Sequence, residues 1–235
     1  MNWDIIKHKN TLIKILKDIY TDPTLGPLLG FKGGTAAFFF YGLDRFSVDL
    51  DFDLLEETQE NFIFEQMQKI LKNYGIIKDA RKKRYTIFFL LSYADETLHG
   101  MNIKIEINKR CFGSKYKIRS YLGVSMKVMV KEDMLANKLV ALYERVGKTN
   151  RDIYDVYFFL KNNWPVNQTI IEKRTGLSYQ KFLQKNLDIL EKVSNRHILS
   201  GIGELLDQKQ KSWVKNNLQK EAIFLLKLAL ENESE

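Results

Sequence analysis

Phe31-Lys32-Gly33-Gly34-Thr35-Ala36 and, a little further on, Val48-Asp49-Leu50-Asp51-Phe52-Asp53-Leu54 are the stretches on which the reading of this chain turns. The second alternates strictly. Val48, Leu50, Phe52 and Leu54 take one face of a strand, and Asp49, Asp51 and Asp53 take the other. Successive aspartates then stand about 7 Å apart, at a rise of ~3.3 Å per residue. Like charges so placed repel unless a cation or solvent relieves them, and aspartate is depleted in strands, so folding alone does not ask for this row. Carboxylates two residues apart suit Mg²⁺ or Mn²⁺, hard ions that keep water and phosphate oxygens as their other ligands.

The glycine stretch joins a short apolar strand, Leu28 to Lys32, to an apolar helix that starts at Thr35, continues from Ala36 to Tyr41, stops at Gly42 and is expected to be buried. Glycines let backbone approach a phosphate closely, and a helix N-terminus offers free N–H groups. Thr35 adds a hydroxyl and serves as a cap. Taken alone, Gly-Gly-Thr reads as an ordinary turn. Fourteen residues separate Gly34 from Asp49, room for one short helix and a return to the sheet. Phosphate-binding turn and metal carboxylates therefore meet on adjacent strands, as phosphoryl and nucleotidyl transfer require.

Working outward, residues 3–20 carry apolar side chains at helical spacing and read as an amphipathic helix rather than a secretory leader. Residues 58–73 read as a helix, Arg84 to Tyr93 as a strand with a break at Tyr74-Gly75, and 124–130 as a short strand. Met101 to Asn108 alternates, with Asn102, Lys104, Glu106 and Asn108 on its polar side. From Lys131 the pattern becomes helical: Lys131 to Arg145, Arg151 to Leu160, 179–193 and 215–231, with Gly147 to Asn150 as a loop. The expected division is an α/β domain over 1–130 and a helical domain over 131–235.

The chain has 235 residues, 45% of them hydrophobic, enough for a real core. Its lone cysteine, Cys111, is expected as a buried small hydrophobe and excludes an internal disulfide. His8, His99 and His197 are too scattered to suggest zinc. The apolar runs, such as Ile87 to Leu91, are too short to span a bilayer, which points to a cytoplasmic protein without a membrane partner. A formal charge of +8 and a pI near 9.3 favour polyanionic partners. Arg81-Lys82-Lys83-Arg84, Lys109-Arg110 and Lys115/Lys117/Arg119 are candidate phosphate contacts.

Phe31 to Ala36 and Arg45-Phe46-Ser47-Val48-Asp49-Leu50-Asp51-Phe52-Asp53 resemble the first motif of the AbiEii/AbiGii toxin family, MenT-like nucleotidyltransferases of the polymerase-β superfold. Leu135-Ala136-Asn137-Lys138-Leu139 resembles the second motif, with Asn137 where most relatives carry Glu or Lys. Arg151-Asp152-Ile153-Tyr154-Asp155 resembles the third. The resemblance spans most of residues 28–160. It implies a mixed-sheet α/β core (α+β in style) followed by a helical half that completes the active site. Asp49, Asp51 and Glu106 would hold the metal. Lys32, Gly33, Gly34, Thr35, Arg45, Ser47 and Arg145 would bind nucleotide. Lys138 would contact phosphate, and Asp152 or Asp155 would orient it or the acceptor hydroxyl. The implied activity is transfer of NMP from an NTP to RNA, in particular a tRNA 3′ end, by a toxin with a cognate antitoxin. Two alternatives share this core: transfer to a protein hydroxyl, and a non-catalytic nucleotide-binding module.

Overall fold

The computed structural model describes residues 5–93, 101–146 and 148–233; His99 and Gly147 lie outside them. Their chain divides into two compact units, Met1–Cys111 with Lys115–Met129, and Phe112–Ser114 with Val130–Glu235.

The first unit runs α1 (Ile5–Thr21), β1 (Leu29–Lys32), α2 (Gly33–Tyr41), β2 (Leu50–Leu54), α3 (Glu60–Lys72), β3 (Ile76–Lys82), β4 (Thr86–Ser92), β5 (Asn102–Asn108), β6 (Tyr116–Tyr121) and β7 (Val124–Met129). The strands form one mixed sheet in the order β3-β4-β5-β2-β1-β7-β6. β1 runs antiparallel to β2, and β2 parallel to β5. Alternation buries Leu50, Phe52, Ile103, Ile105, Ile107, Ile87 and Phe89 completely. Tyr20 of α1 packs on Phe52, and Phe64 of α3 stacks on Phe89 at 5.3 Å. One face of the sheet is thus the core, and the opposite face carries Lys32, Asp51, Glu106 and Phe88.

Several sequence expectations change. Two edge strands lie where the sequence pattern shows none: β3, after the break at Tyr74-Gly75, and β6, over the Lys115/Lys117/Arg119 cluster. Edge strands are blunted by charge on both faces, which erases the alternation that marks a strand. In β3 no residue is buried, and the β6–β7 hairpin turns through Leu122 and Gly123, both at positive φ (47° and 79°), without the Asn-Gly signal. α2 begins at Gly33, two residues before Thr35, so Thr35 is buried inside the first turn and is not the cap. Ala36 and Ala37 are buried, but Phe38 to Tyr41 are half-buried. Val48 and Asp49 precede β2 as an irregular lead-in. Cys111 is exposed.

The second unit is helical: α4 (Lys131–Arg145), α5 (Arg151–Lys161), α6 (Gln168–Thr175), α7 (Tyr179–Lys192) and α8 (Gln208–Glu231). α8 starts at Gln208, seven residues upstream of the expected start, and Asp207 caps it in a reciprocal pair with Gln210. Trp213 of α8 packs its ring on Tyr157 at 4.7 Å. Among the described residues no helix is long and apolar enough to cross a membrane.

Candidate active site

The register sets the centre of the site. Lys32 stands opposite Asp51, and Asp51 opposite Glu106, on the adjacent strands β1, β2 and β5. Register partners share a face, with Cβ atoms ~4.5–5.5 Å apart. A cation, a carboxylate and a second carboxylate therefore form one row.

Gly33 brings α2 against that row. Its φ is +78°, and a Cβ there would lie 2.5 Å from Asp51 Oδ2. Only glycine allows this backbone and this approach. Gly34 is equally constrained, because a Cβ would lie 2.8 Å from Arg45 Nη2 and 2.9 Å from Ser47 Oγ. Arg45 is 2% exposed and donates to the Phe46 carbonyl at 2.9 Å. Its guanidinium thus sits beside the N-terminus of α2, itself the positive end of a helix dipole. Two positive groups at one place favour an anion. A Gly33→Ala protein is expected to lose transfer activity at least about tenfold, since the methyl displaces the Asp51 carboxylate, and to lose roughly 1–2 kcal/mol of stability from the left-handed backbone. Activity assays and urea titration check both.

Asp49 lies beside the row and is fixed through its backbone. Thr35 Oγ1 donates to the Asp49 carbonyl and lies 3.0 Å from Ser47 Oγ, from which it can accept. His8, from α1, reaches the preceding carbonyl: Nε2 donates to Val48 O at 2.9 Å. In the neutral ring Nδ1 accepts from the Tyr93 hydroxyl at 2.5 Å. His8 is wholly buried, and burial lowers its pKa below the usual 6.5. The stability it contributes is present above the unfolded value of 6.5. It is lost as pH falls through the lower folded value, because the unfolded chain takes up the proton first. The stability difference between wild type and His8→Gln, from urea titrations at pH 7.5 and 5, is expected to shrink at the lower pH. Nothing in the sequence marked His8 as more than an isolated histidine.

Lys104 completes the acidic side. Its ammonium is 3.6 Å from Asp49 Oδ2 and 3.3 Å from Glu106 Oε2. Among the described residues no three acidic, histidine or cysteine side chains form a ready-made metal cluster. The donors still fit Mg²⁺ or Mn²⁺: all are carboxylate oxygens, and the lysine between two of them marks where positive charge is favoured. Asp53, the third member of the alternating row, is drawn elsewhere. It is 8% exposed and bonds Lys32 and Tyr116, with Asn108 Nδ2 donating at 2.9 Å. Gly30 makes room, since a Cβ there would strike the Tyr116 ring at 2.3 Å. Asp53 is a structural acid that holds Lys32 beside Asp51.

The second unit carries its own buried charge network. Lys138 Nζ lies 3.0 Å from Asp152 Oδ1 and 2.7 Å from Asp155 Oδ2. Arg145 Nη2 lies 2.9 Å from Asp152 Oδ2. Both aspartates are fully buried. Both aspartates converge on Lys138. Asn137 accepts from Arg174 Nη1 at 2.7 Å, a partner that sequence reasoning missed because α6 carries no motif.

The family model for the nucleotidyl transferase AbiEii toxin of type IV toxin–antitoxin systems matches residues 14–219. The chain belongs to this family. As an AbiEii-family chain it is a toxin-type nucleotidyltransferase. Solved structures share the fold. A candidate nucleotidyltransferase from H. pylori has a TM-score of 0.65 at 18% identity, with 100% of this chain and 98% of that one covered. JHP933 from Helicobacter pylori has 0.60 at 21%, covering 100% and 96%. The nucleotidyltransferase toxin MenT4 from Mycobacterium tuberculosis has 0.59 at 16%, covering 94% and 84%. No curated protein matches the AbiEii-family chain by sequence.

Proposed function

We propose that this AbiEii-family chain transfers a nucleoside monophosphate from an NTP to an RNA hydroxyl in the cytoplasm, at a tRNA 3′ end, and that a cognate antitoxin restrains it. The observation that carries the reading is the contact of Gly33 with Asp51, in register with Lys32 and Glu106. Triphosphate-binding backbone and metal-binding carboxylate are thereby adjacent.

In this mechanism Gly33 and Gly34 offer their N–H groups to phosphate oxygens, and Thr35, Ser47 and Arg45 hold the loop around them. Lys32 adds positive charge beside Asp51. Asp49, Asp51 and Glu106 would hold Mg²⁺ or Mn²⁺ in place of the Lys104 ammonium, and the ion would supply positive charge to offset that of the departing pyrophosphate. The acceptor oxygen bonds to the α-phosphorus, the bond to the pyrophosphate oxygen breaks, and the hydroxyl proton passes to a carboxylate. On the second unit, Lys138, oriented by Asp152 and Asp155 and assisted by Arg145, presents a cation suited to a phosphate.

Incubating the protein with each labelled NTP, total RNA and cell extract tests this. Label in tRNA supports the proposal. Label in protein moves the acceptor to a protein hydroxyl, and no label in either leaves a nucleotide-binding module.

A further inference from the structure

The acidic row does not end at Glu106. Glu106 pairs with Phe88 on β4, and Phe88 pairs with Arg81 on β3. An aromatic ring is therefore the cross-strand neighbour of the site's outer carboxylate. Phe88 is half-buried, whereas Ile87 and Phe89 on the opposite face are completely buried. Lys83 Nζ lies 4.3 Å from the centre of the Phe88 ring. Beyond it, Tyr85 is 46% exposed, with the guanidinium of Arg84 at 4.9 Å and that of Arg110 at 5.2 Å from its ring.

The basic run divides by strand parity. Lys82 turns to the helix-covered face, where it donates to Asn61 of α3 at 2.7 Å. Lys109 does the same and pairs with Glu60 at 2.9 Å. Arg81 is held by Asp79 at 2.7 Å. Lys83, Arg84 and Arg110 are exposed and gather around the two rings. A merely solvated basic loop needs no rings beneath its charges. Flat π faces with fixed cations above them match a single-stranded nucleic acid, whose bases stack while its phosphates meet the cations. A neutral protein acceptor gains nothing from these charges.

We propose that Phe88, on the face of the acidic row, and Tyr85, in the turn between β3 and β4, form the track along which a single-stranded RNA end reaches the acidic row. The proposal rests on the transfer reading above and adds the acceptor's path. Fluorescence anisotropy with a labelled single-stranded RNA of about a dozen nucleotides, run beside a fluorescent NTP analogue, tests it. Phe88→Leu, which keeps an apolar side chain but removes the ring, and Tyr85→Ala are each expected to weaken RNA binding roughly tenfold. The Lys83→Ala/Arg84→Ala/Arg110→Ala protein is expected to flatten the dependence of log affinity on log salt by about two. NTP affinity is expected to stay unchanged in all three. Unchanged RNA affinity and salt slope in folded variants would overturn the proposal, as would an equal loss of NTP affinity in Phe88→Leu. Wild-type protein that binds RNA through these residues but no NTP would sink the transfer reading and leave the RNA surface standing.

Discussion

An Asp51→Asn protein is expected to fold at least as stably as wild type and to transfer nucleotide about a thousandfold more slowly. The two effects have opposite signs for one reason. Asp51 stands opposite Glu106, and like charges directly opposite destabilise a sheet by roughly 0.2–1 kcal/mol. Asn has the same shape and relieves that repulsion. The same change removes the carboxylate that lies against Gly33, and with it a hard-oxygen ligand for the ion. Urea titration and a single-turnover transfer assay on the same preparation read both quantities. Wild-type transfer by the variant would end the proposed mechanism, and clear destabilisation would make Asp51 a structural acid.

Lys138→Met is expected to cost about 3–5 kcal/mol of stability, because it removes one partner from a buried ionic network. Asp152 and Asp155 have side chains 1% and 0% exposed, and Lys138 Nζ bonds both. The substitution leaves two buried aspartates short of one cation. Combining Lys138→Met with Asp155→Asn should recover part of the loss, since an amide tolerates burial better than a carboxylate that has lost a cation. A urea titration of the single and double variants measures this. Equal stability of wild type and Lys138→Met would mean that the network contributes no net energy. Lys138→Arg, which keeps the charge, separates stability from phosphate chemistry: wild-type stability with weakened NTP affinity supports the cationic role.

The alternating aspartates are legible in the sequence; the partners of the third are not. Alternation places Asp49, Asp51 and Asp53 on one face and says nothing of what each meets. Asp53 lies one pleat further along β2, opposite Gly30, where the missing side chain admits Tyr116 from an edge strand that the pattern did not reveal. Its partners Lys32, Asn108 and Tyr116 come from three other strands, so only the sheet order could group them. Thr35 was read as a cap because the helix was taken to start there. The helix starts at Gly33, and the hydroxyl instead pins the Asp49 carbonyl.

The sequence by itself determined the family, the α/β core with its helical continuation, and the pairing of a glycine turn with an acidic strand. These are local properties: side-chain period, backbone freedom at glycine, and motif spacing. Tertiary structure alone decided that Glu106 stands beside Asp51, that Lys104 lies between Asp49 and Glu106, that His8 holds the lead-in to Asp49, and that both Asp152 and Asp155 converge on Lys138. Each of these joins residues from different strands or helices. Strand register and helix packing bring them together, and neither is written in the local pattern of any one segment.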